Sequence, residues 1–420
     1  MNDLLKARES RRNHINDISN KISNKSIVIL KANTPGNNKN TNNSKLLIKI
    51  FDKLLSSILK DNIINKEKID SLDGNYFLFV VEYDKFDLKR LTHYIESFHP
   101  LGKFVDIDCY LNKGAIGRTD LGLSKRKCFV CSKEAIVCTR SQTHSTAEIL
   151  NVIANEVNEY LVKSLGQLTS KAIICELELY PKFGLVSKRN SGCHTDMDYQ
   201  TFINSEEAIS SGVIEYLKHG LTAIYPIKLK EIGLNTESNM FKATKGINTH
   251  KGLIFLIGLF LPALINTIIN NRDILYLRSK IIYIAESIIG NYYNDFEKRT
   301  SKSNSDIIYK EYNIKGIRGE AINGLPSLFN KGEYLSNLDT LMYFMSVLDD
   351  TTIIHKTSLE TLIKIKEETK IILSNGGYKN NIEKVNGLSE KYKLTNISPG
   401  GSADMLVLSL IYDEAKYLVK

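Results

Sequence analysis

Two domains are predicted, an α+β half built on a mixed sheet and an all-α half after it. Three observations carry this. At 420 residues the chain exceeds what one ordinary hydrophobic core accommodates. Its grammar changes near Thr146, where short β-branched and aromatic runs give way to apolar residues at three-to-four spacing. Its composition, 42% hydrophobic and 25% charged, is that of a globular protein.

In the first half, Ser26–Leu30 is β-branched and apolar and reads as a strand, followed by a polar loop from Asn33 to Asn43 around Pro35-Gly36. Leu46–Leu59 has helical spacing and Tyr76–Val81 is a second apolar strand. Phe104–Tyr110 alternates in part, with Asp106 and Asp108 on one face and Val105 and Ile107 on the other. Helices are then predicted over Ala147–Leu165, Asp198–His219, Leu253–Asn270, Ile274–Asn291, Tyr334–Leu348, Leu359–Leu373 and Ser402–Val419. The boundary is set at Leu165-Gly166, giving domains 1–165 and 166–420.

The apolar run Leu253–Ile265 is interrupted by Pro262 and falls short of the ~20 residues that cross a bilayer, so it reads as a buried helix. Six cysteines in this length do not make a disulfide scaffold, and Met1–Arg12 has no apolar signal-peptide core. A cytoplasmic protein with no membrane partner is expected. The net charge of +9 fits an anionic partner such as a nucleotide, a nucleotide-bearing coenzyme or a nucleic acid; with the rest of the sequence, no nucleic-acid partner is expected.

The densest chemistry lies between Pro181 and Asp198. Lys182, Lys188 and Arg189 can meet phosphates, Asp196 and Asp198 can hold a hard cation, and His194 lies between them. Gly184 and Gly192 allow the close backbone approach a polyphosphate needs. In the first half, Asp106 and Asp108 stand two apart on a strand and can bind Mg²⁺, with substrate phosphates completing its shell. Arg118, Arg126 and Arg140 follow as phosphate-gripping cations. Cys128, Cys131, Cys138 and His144 follow a C-x₂-C-x₆-C-x₅-H spacing that could fold around Zn²⁺; the plainer reading is buried thiols with a helix-cap histidine.

The run His99-Pro-Leu-Gly with Asp106-Ile-Asp108, then Arg126-Lys127-Cys128 and the Cys/Arg/His series to His144, resembles the apo-citrate lyase phosphoribosyl-dephospho-CoA transferases. The likeness covers most of residues 1–165, including Arg8-Glu9 and Pro35-Gly36. It implies a nucleotidyltransferase-type domain that moves a phosphoribosyl-dephospho-CoA group onto a serine of the citrate lyase acyl carrier protein, releasing pyrophosphate. Asp106 and Asp108 would then be catalytic. Lys103 and Lys125 depart from the family's usual arginine and proline.

Four more segments accompany Pro181–Asp198 in the second half. Gly246-Ile-Asn-Thr-His-Lys-Gly252 precedes the apolar helix and offers Asn248, His250 and Lys251 at a helix start. Arg318-Gly-Glu320 places an arginine and a carboxylate on one mobile turn. Asp349-Asp350-Thr-Thr can supply metal-binding oxygens, and Ser398-Pro-Gly-Gly-Ser-Ala-Asp404 opens the last helix. Each alone has a bland reading as a core histidine, a surface ion pair or a plain helix start. Five polar, glycine-bearing segments at helix junctions together describe a phosphate and metal pocket.

These segments, with Asn190-Ser-Gly-Cys-His194, resemble the triphosphoribosyl-dephospho-CoA synthases over nearly all of residues 170–420, with Phe183 and Ser187 in place of the usual proline and aspartate. The resemblance implies that ATP and dephospho-CoA give triphosphoribosyl-dephospho-CoA and free adenine. On that chemistry, Asp196, Asp198, Asp350 and Asp404 would divide metal binding and oxocarbenium stabilisation. His194 or Glu320 would handle protons. Lys182, Lys251 and Arg318 would hold the triphosphate, and Lys188, Asn190, Asn248, His250, Ser398, Gly400 and Gly401 would complete the substrate site. The expected partners are ATP, dephospho-CoA and the apo acyl carrier protein, with Mg²⁺ as cofactor. The alternatives are an ADP-ribosyl hydrolase-like enzyme, on the strength of Asp349-Asp-Thr, and a catalytically decayed carrier- or nucleotide-binding protein, on that of Phe183 and Ser187.

Overall fold

A computed structural model describes residues 2–22, 25–111, 114–290, 304–334 and 336–420. The chain divides into two compact units, Met1–Leu161 with Ile268–Asn271 and Lys420, and Val162–Thr267 with Arg272–Val419. The division at 161/162 falls inside one long helix, Thr146–Glu178.

The first unit holds a five-stranded sheet of β1 (Ser26–Ala32), β2 (Ile63–Ile69), β3 (Tyr76–Val81), β4 (Val105–Leu111) and β5 (Gly114–Ile116), in the order β2-β3-β1-β4-β5. Every pairing is antiparallel, which corrects the expected mixed sheet. The helix Asn42–Ile58 does return the chain in the direction of β1. The hairpin strand β3 then inserts between β1 and β2, so no parallel neighbours form. The two central strands are buried on both faces, as a sheet covered on both sides requires. Ile27 and Ile29 pack with Ile15 of the helix Asn2–Lys21, while the helices Asn42–Ile58 and Lys85–Phe98 pack on β1 and β4. On β4 the alternation is as expected, with Val105 and Ile107 buried, Asp106 half-buried and Asp108 exposed.

Among its described residues the second unit has helices joined by loops and no strand. At its centre lies Lys251–Ile269, whose apolar residues are almost all inaccessible to solvent. This helix is long and apolar enough to cross a membrane by length and composition, yet most of it is buried inside the unit. Pro262 sits within it rather than interrupting it, a second correction. Sequence periodicity located the long amphipathic helices but missed Asn2–Lys21, Lys85–Phe98, Pro226–Ala243 and Ile382–Leu394, along with several short ones. The segment at Arg318–Glu320 is not a loose turn but the helix Gly316–Ile322.

Candidate functional site

In the second unit the helix junctions enclose a cavity of about 220 Å³. Nine of the residues singled out in the sequence line it: Lys182, His194, Asn248, His250, Asp350, Ser398, Gly400, Gly401 and Asp404. The helices Lys251–Ile269 and Gly400–Ala415 both begin at this wall, and the partial positive charge of their first turns favours an anion there.

The two aspartates at the base differ sharply. Asp350 ties two helix starts together. It accepts from Thr352 N in its own first turn (3.0 Å) and from both Ser402 N (3.0 Å) and Ser402 Oγ (3.2 Å) in the last helix. Burial raises its carboxyl pKa and these donors oppose the rise. Asp404 has no such relief. It is half-buried on the cavity wall, and its pKa is held well above the ordinary carboxylate range by desolvation first and then by the charges of Asp350 and Glu176. No cation among the described residues offsets it. Its Oδ2 rests against Gly252, where a Cβ would come within 2.3 Å, so a larger residue at that helix start would displace the Asp404 carboxyl. Glu176 is paired with the buried Lys182 at 2.9 Å, and Lys182 Nζ also donates to Val186 O at 2.7 Å.

Across the cavity, His194 Nε2 lies 3.1 Å from Ser398 Oγ, and His194 Nδ1 lies 3.6 Å from the exposed Asp196 carboxylate. Lys356 Nζ stands 3.2 Å from the same Nε2. Burial lowers the His194 pKa and Lys356 lowers it further, so the imidazole is neutral at neutral pH. Sequence reasoning missed Lys356, which ends the helix Thr351–Lys356 six residues beyond Asp350, outside every motif. His250 is fully buried, hydrogen-bonded through Nδ1 to Ser205 Oγ at 2.6 Å, and pushed down to about 3 by burial and by Lys182.

What holds the Pro181–Asp198 loop here is backbone packing. Gly184 and Gly192 have positive φ, and a Cβ on Gly184 would lie 2.1 Å from Ile397 O. The expected close approach is therefore made by protein backbone, and it brings His194 to Ser398. Phe183 adopts a φ of 52° that proline cannot reach, and is buried against Tyr392. Ser187 Oγ accepts from Arg189 N and Asn190 N, a turn-capping job that aspartate also performs. Neither departure lines the cavity.

Other candidates lie elsewhere. Asp198 caps the helix Tyr199–Gly220, accepting from Thr201 N at 2.9 Å and Thr201 Oγ1 at 2.7 Å. Lys188 pairs with Glu178 on the surface, and Asn190 Oδ1 accepts from Gly192 N. Lys251 pairs with Glu237 and Arg318 with Asp306, both at a separate pocket. Glu320 accepts from Ser327 N and Oγ.

The first unit has its own charged face. Arg126 reaches Asp106 at 2.8 Å and Glu96 at 2.5 Å, and Arg118 reaches Glu96 at 2.7 Å. Glu96, which sequence reasoning missed, is buried and also accepts from Ile107 N on β4, so it locks both arginines to the aspartate strand. Burial raises the Asp106 pKa, with Arg126 opposing. Lys31, the cross-strand partner of Asp106, joins Arg8 and Arg11 around the buried Asp73. Three cations around one carboxylate leave surplus positive charge beside the aspartate strand. Arg140 is exposed at the end of the helix Ala135–Arg140. Replacing Glu96 with glutamine should cost about 2–3 kcal/mol, because two half-buried guanidinium groups lose their shared counter-charge; denaturant unfolding measures it.

The family model for ATP:dephospho-CoA triphosphoribosyl transferases matches residues 162–419. The chain belongs to that family. The model for apo-citrate lyase phosphoribosyl-dephospho-CoA transferases matches residues 1–160, so this family member carries both domains in one chain. It is 28% identical to Protein CitXG of Leuconostoc mesenteroides over 91% of this chain and 90% of that protein. It is also 28% identical to Protein CitXG of Haemophilus influenzae, over 83% of this chain and 81% of that protein. A probable 2-(5''-triphosphoribosyl)-3'-dephosphocoenzyme-A synthase of Photobacterium profundum is 32% identical over 59% of this chain and 86% of its own length. The chain is a bifunctional transferase of citrate lyase prosthetic-group biosynthesis. The matches support this reading and not the hydrolase or decayed-binder alternatives.

Proposed function

We propose that the cavity of the second unit is where ATP loses adenine to dephospho-CoA, with Asp404 as its central group. The observation that carries this is the Asp404 carboxyl group, which lines the cavity where two helices start, beside Asp350 and Glu176 and with its pKa raised by desolvation and by their charges. A cation bound beside such a group offsets its desolvation and draws it into the ionised form. Asp404, with Asp350 behind it, would hold Mg²⁺, with triphosphate oxygens completing the shell. When bound, the ion neutralises the triphosphate. The same carboxylates face the positive charge that develops at the anomeric carbon as the bond to adenine breaks.

His194 is the general base in this reading. A hydroxyl of dephospho-CoA forms a new bond to the anomeric carbon, its proton passes to the neutral imidazole, and adenine leaves with the glycosidic electron pair. Asp196 orients Nδ1, and Lys356 keeps the ring from protonating early. In this reading Asp198, Lys251, Arg318 and Glu320 stay outside the reacting centre. In the first unit, Asp106 and Asp108 with Lys31 and Arg126 would receive the triphosphoribosyl product. There a carrier serine attacks phosphorus and pyrophosphate leaves, the working place being the cytoplasm.

The test is ATP- and dephospho-CoA-dependent adenine release followed against pH. His194 must be neutral to act, so activity should fall on the acid side only below the ordinary histidine pKa of about 6.5. Lys356→Met removes the neighbouring positive charge, lets His194 protonate more easily and should move the acid limb to higher pH. An unmoved limb in Lys356→Met, or full activity in His194→Ala, would remove His194 from this role.

A further inference from the structure

We infer that Cys128, Cys131, Cys138 and His144 form a closed, structural Zn²⁺ site that fixes the arginine-bearing wall of the first unit's site. One ligand atom from each of the four residues lies within 4.8 Å of every other. A tetrahedral site with Zn–S bonds of about 2.3 Å has ligand-to-ligand edges of roughly 3.8 Å. The Cys131 and Cys138 sulphurs, 3.5 Å apart, already stand at about that spacing. His144 Nδ1 lies 3.3 Å from Glu148 Oε1, which leaves Nε2 for the cluster. That Nε2 is shut off from solvent and has no hydrogen-bond partner. A carboxylate on one imidazole nitrogen and a metal on the other is the usual way a ligating histidine is oriented.

The backbone around the cluster is shaped for a metal. Cys128 and Cys131 sit at the tip of a tight antiparallel turn closed by the Lys127–Glu134 bridge, with Cys128 N donating to Lys133 O and Ala135 N to Arg126 O, both at 2.8 Å. Inside the turn, Val130 N points at Cys128 Sγ at 3.5 Å, a contact that stabilises a thiolate. The short helix Ala135–Arg140 then supplies Cys138, and His144 immediately precedes the long helix. From Lys125 to Ser145 only Cys138 is fully buried, so this segment has almost no apolar core of its own. Segments that small hold a fixed shape through cross-links or metal. Arg126 and Lys127 directly precede Cys128, so the metal would set where the Arg126 contacts to Asp106 and Glu96 fall.

The test is metal analysis of the full-length chain purified with a thiol reductant, beside the Cys128→Ser/Cys138→Ser double variant. One zinc per chain is expected in the native protein and none in the variant. Cobalt exchanged into the native chain should show visible bands of tetrahedral geometry and near-ultraviolet thiolate charge transfer. The variant should keep adenine release, which belongs to the other unit, and lose modification of the carrier protein. Zinc no higher in the native chain than in the variant, zinc that survives loss of both cysteines, or an octahedral cobalt spectrum would each overturn the site. So would a Cys131–Cys138 disulfide in place of metal under reducing purification.

Discussion

Asp404→Asn should abolish adenine release while making the second unit more resistant to heat. The loss follows from removing the cavity carboxylate proposed to hold Mg²⁺, and is expected to be about 10³-fold in kcat. The gain follows from the same fact. Burial and the charges of Asp350 and Glu176 hold the Asp404 pKa above its unfolded value, so its ionised form costs the native state energy. That cost is absent below the unfolded carboxylate pKa of about 3.9. It grows as pH rises through the interval up to the folded pKa and is complete above it. The stability difference between Asp404→Asn and the native chain should therefore widen as pH rises from the acid range towards neutrality. Each kcal/mol recovered is worth about 2–4 °C for a unit of this size, and thermal scans across pH without added Mg²⁺ or ATP measure it. Active sites that trade stability for function behave in this way.

Asp350→Ala should do the opposite and destabilise the second unit strongly. It removes the acceptor for Thr352 N, Ser402 N and Ser402 Oγ at the starts of two helices, where Asp350 itself is buried. Each abandoned buried donor costs about 1–3 kcal/mol, so a total near 4 kcal/mol is expected. Asp350→Asn retains one acceptor oxygen and should lose about half as much. Urea unfolding of the two variants separates them, and equal losses would show that the hydrogen bonds are not what Asp350 contributes.

These two residues illustrate what was legible from sequence. Asp350 and Asp404 were both recognised as site residues, because glycine-bearing polar segments at helix starts stand out in an apolar helical half. Their division of labour was not legible, since hydrogen-bond supply depends on how the helix starting at Thr351 meets the one starting at Gly400. Asp196 and Asp198 show the same limit within one motif. Two residues apart, one approaches His194 and the other caps a helix. Lys356 and Glu96 were invisible because each acts through a partner distant in sequence, His194 and the two arginines. In the first unit, alternation placed Asp106 and Asp108 on one strand face correctly. The antiparallel order could not be read, because it depends on β3 entering between β1 and β2.

Following the mass of the apo acyl carrier protein tests whether one unit makes the precursor at Asp404 and the other attaches it. With ATP, dephospho-CoA and Mg²⁺, the native chain should add the phosphoribosyl-dephospho-CoA group to the carrier, and Asp404→Asn should add nothing. Supplying preformed triphosphoribosyl-dephospho-CoA should restore full modification by Asp404→Asn. Modification by Asp404→Asn from ATP and dephospho-CoA at the native rate, or failure of the preformed intermediate to restore it, would contradict the account.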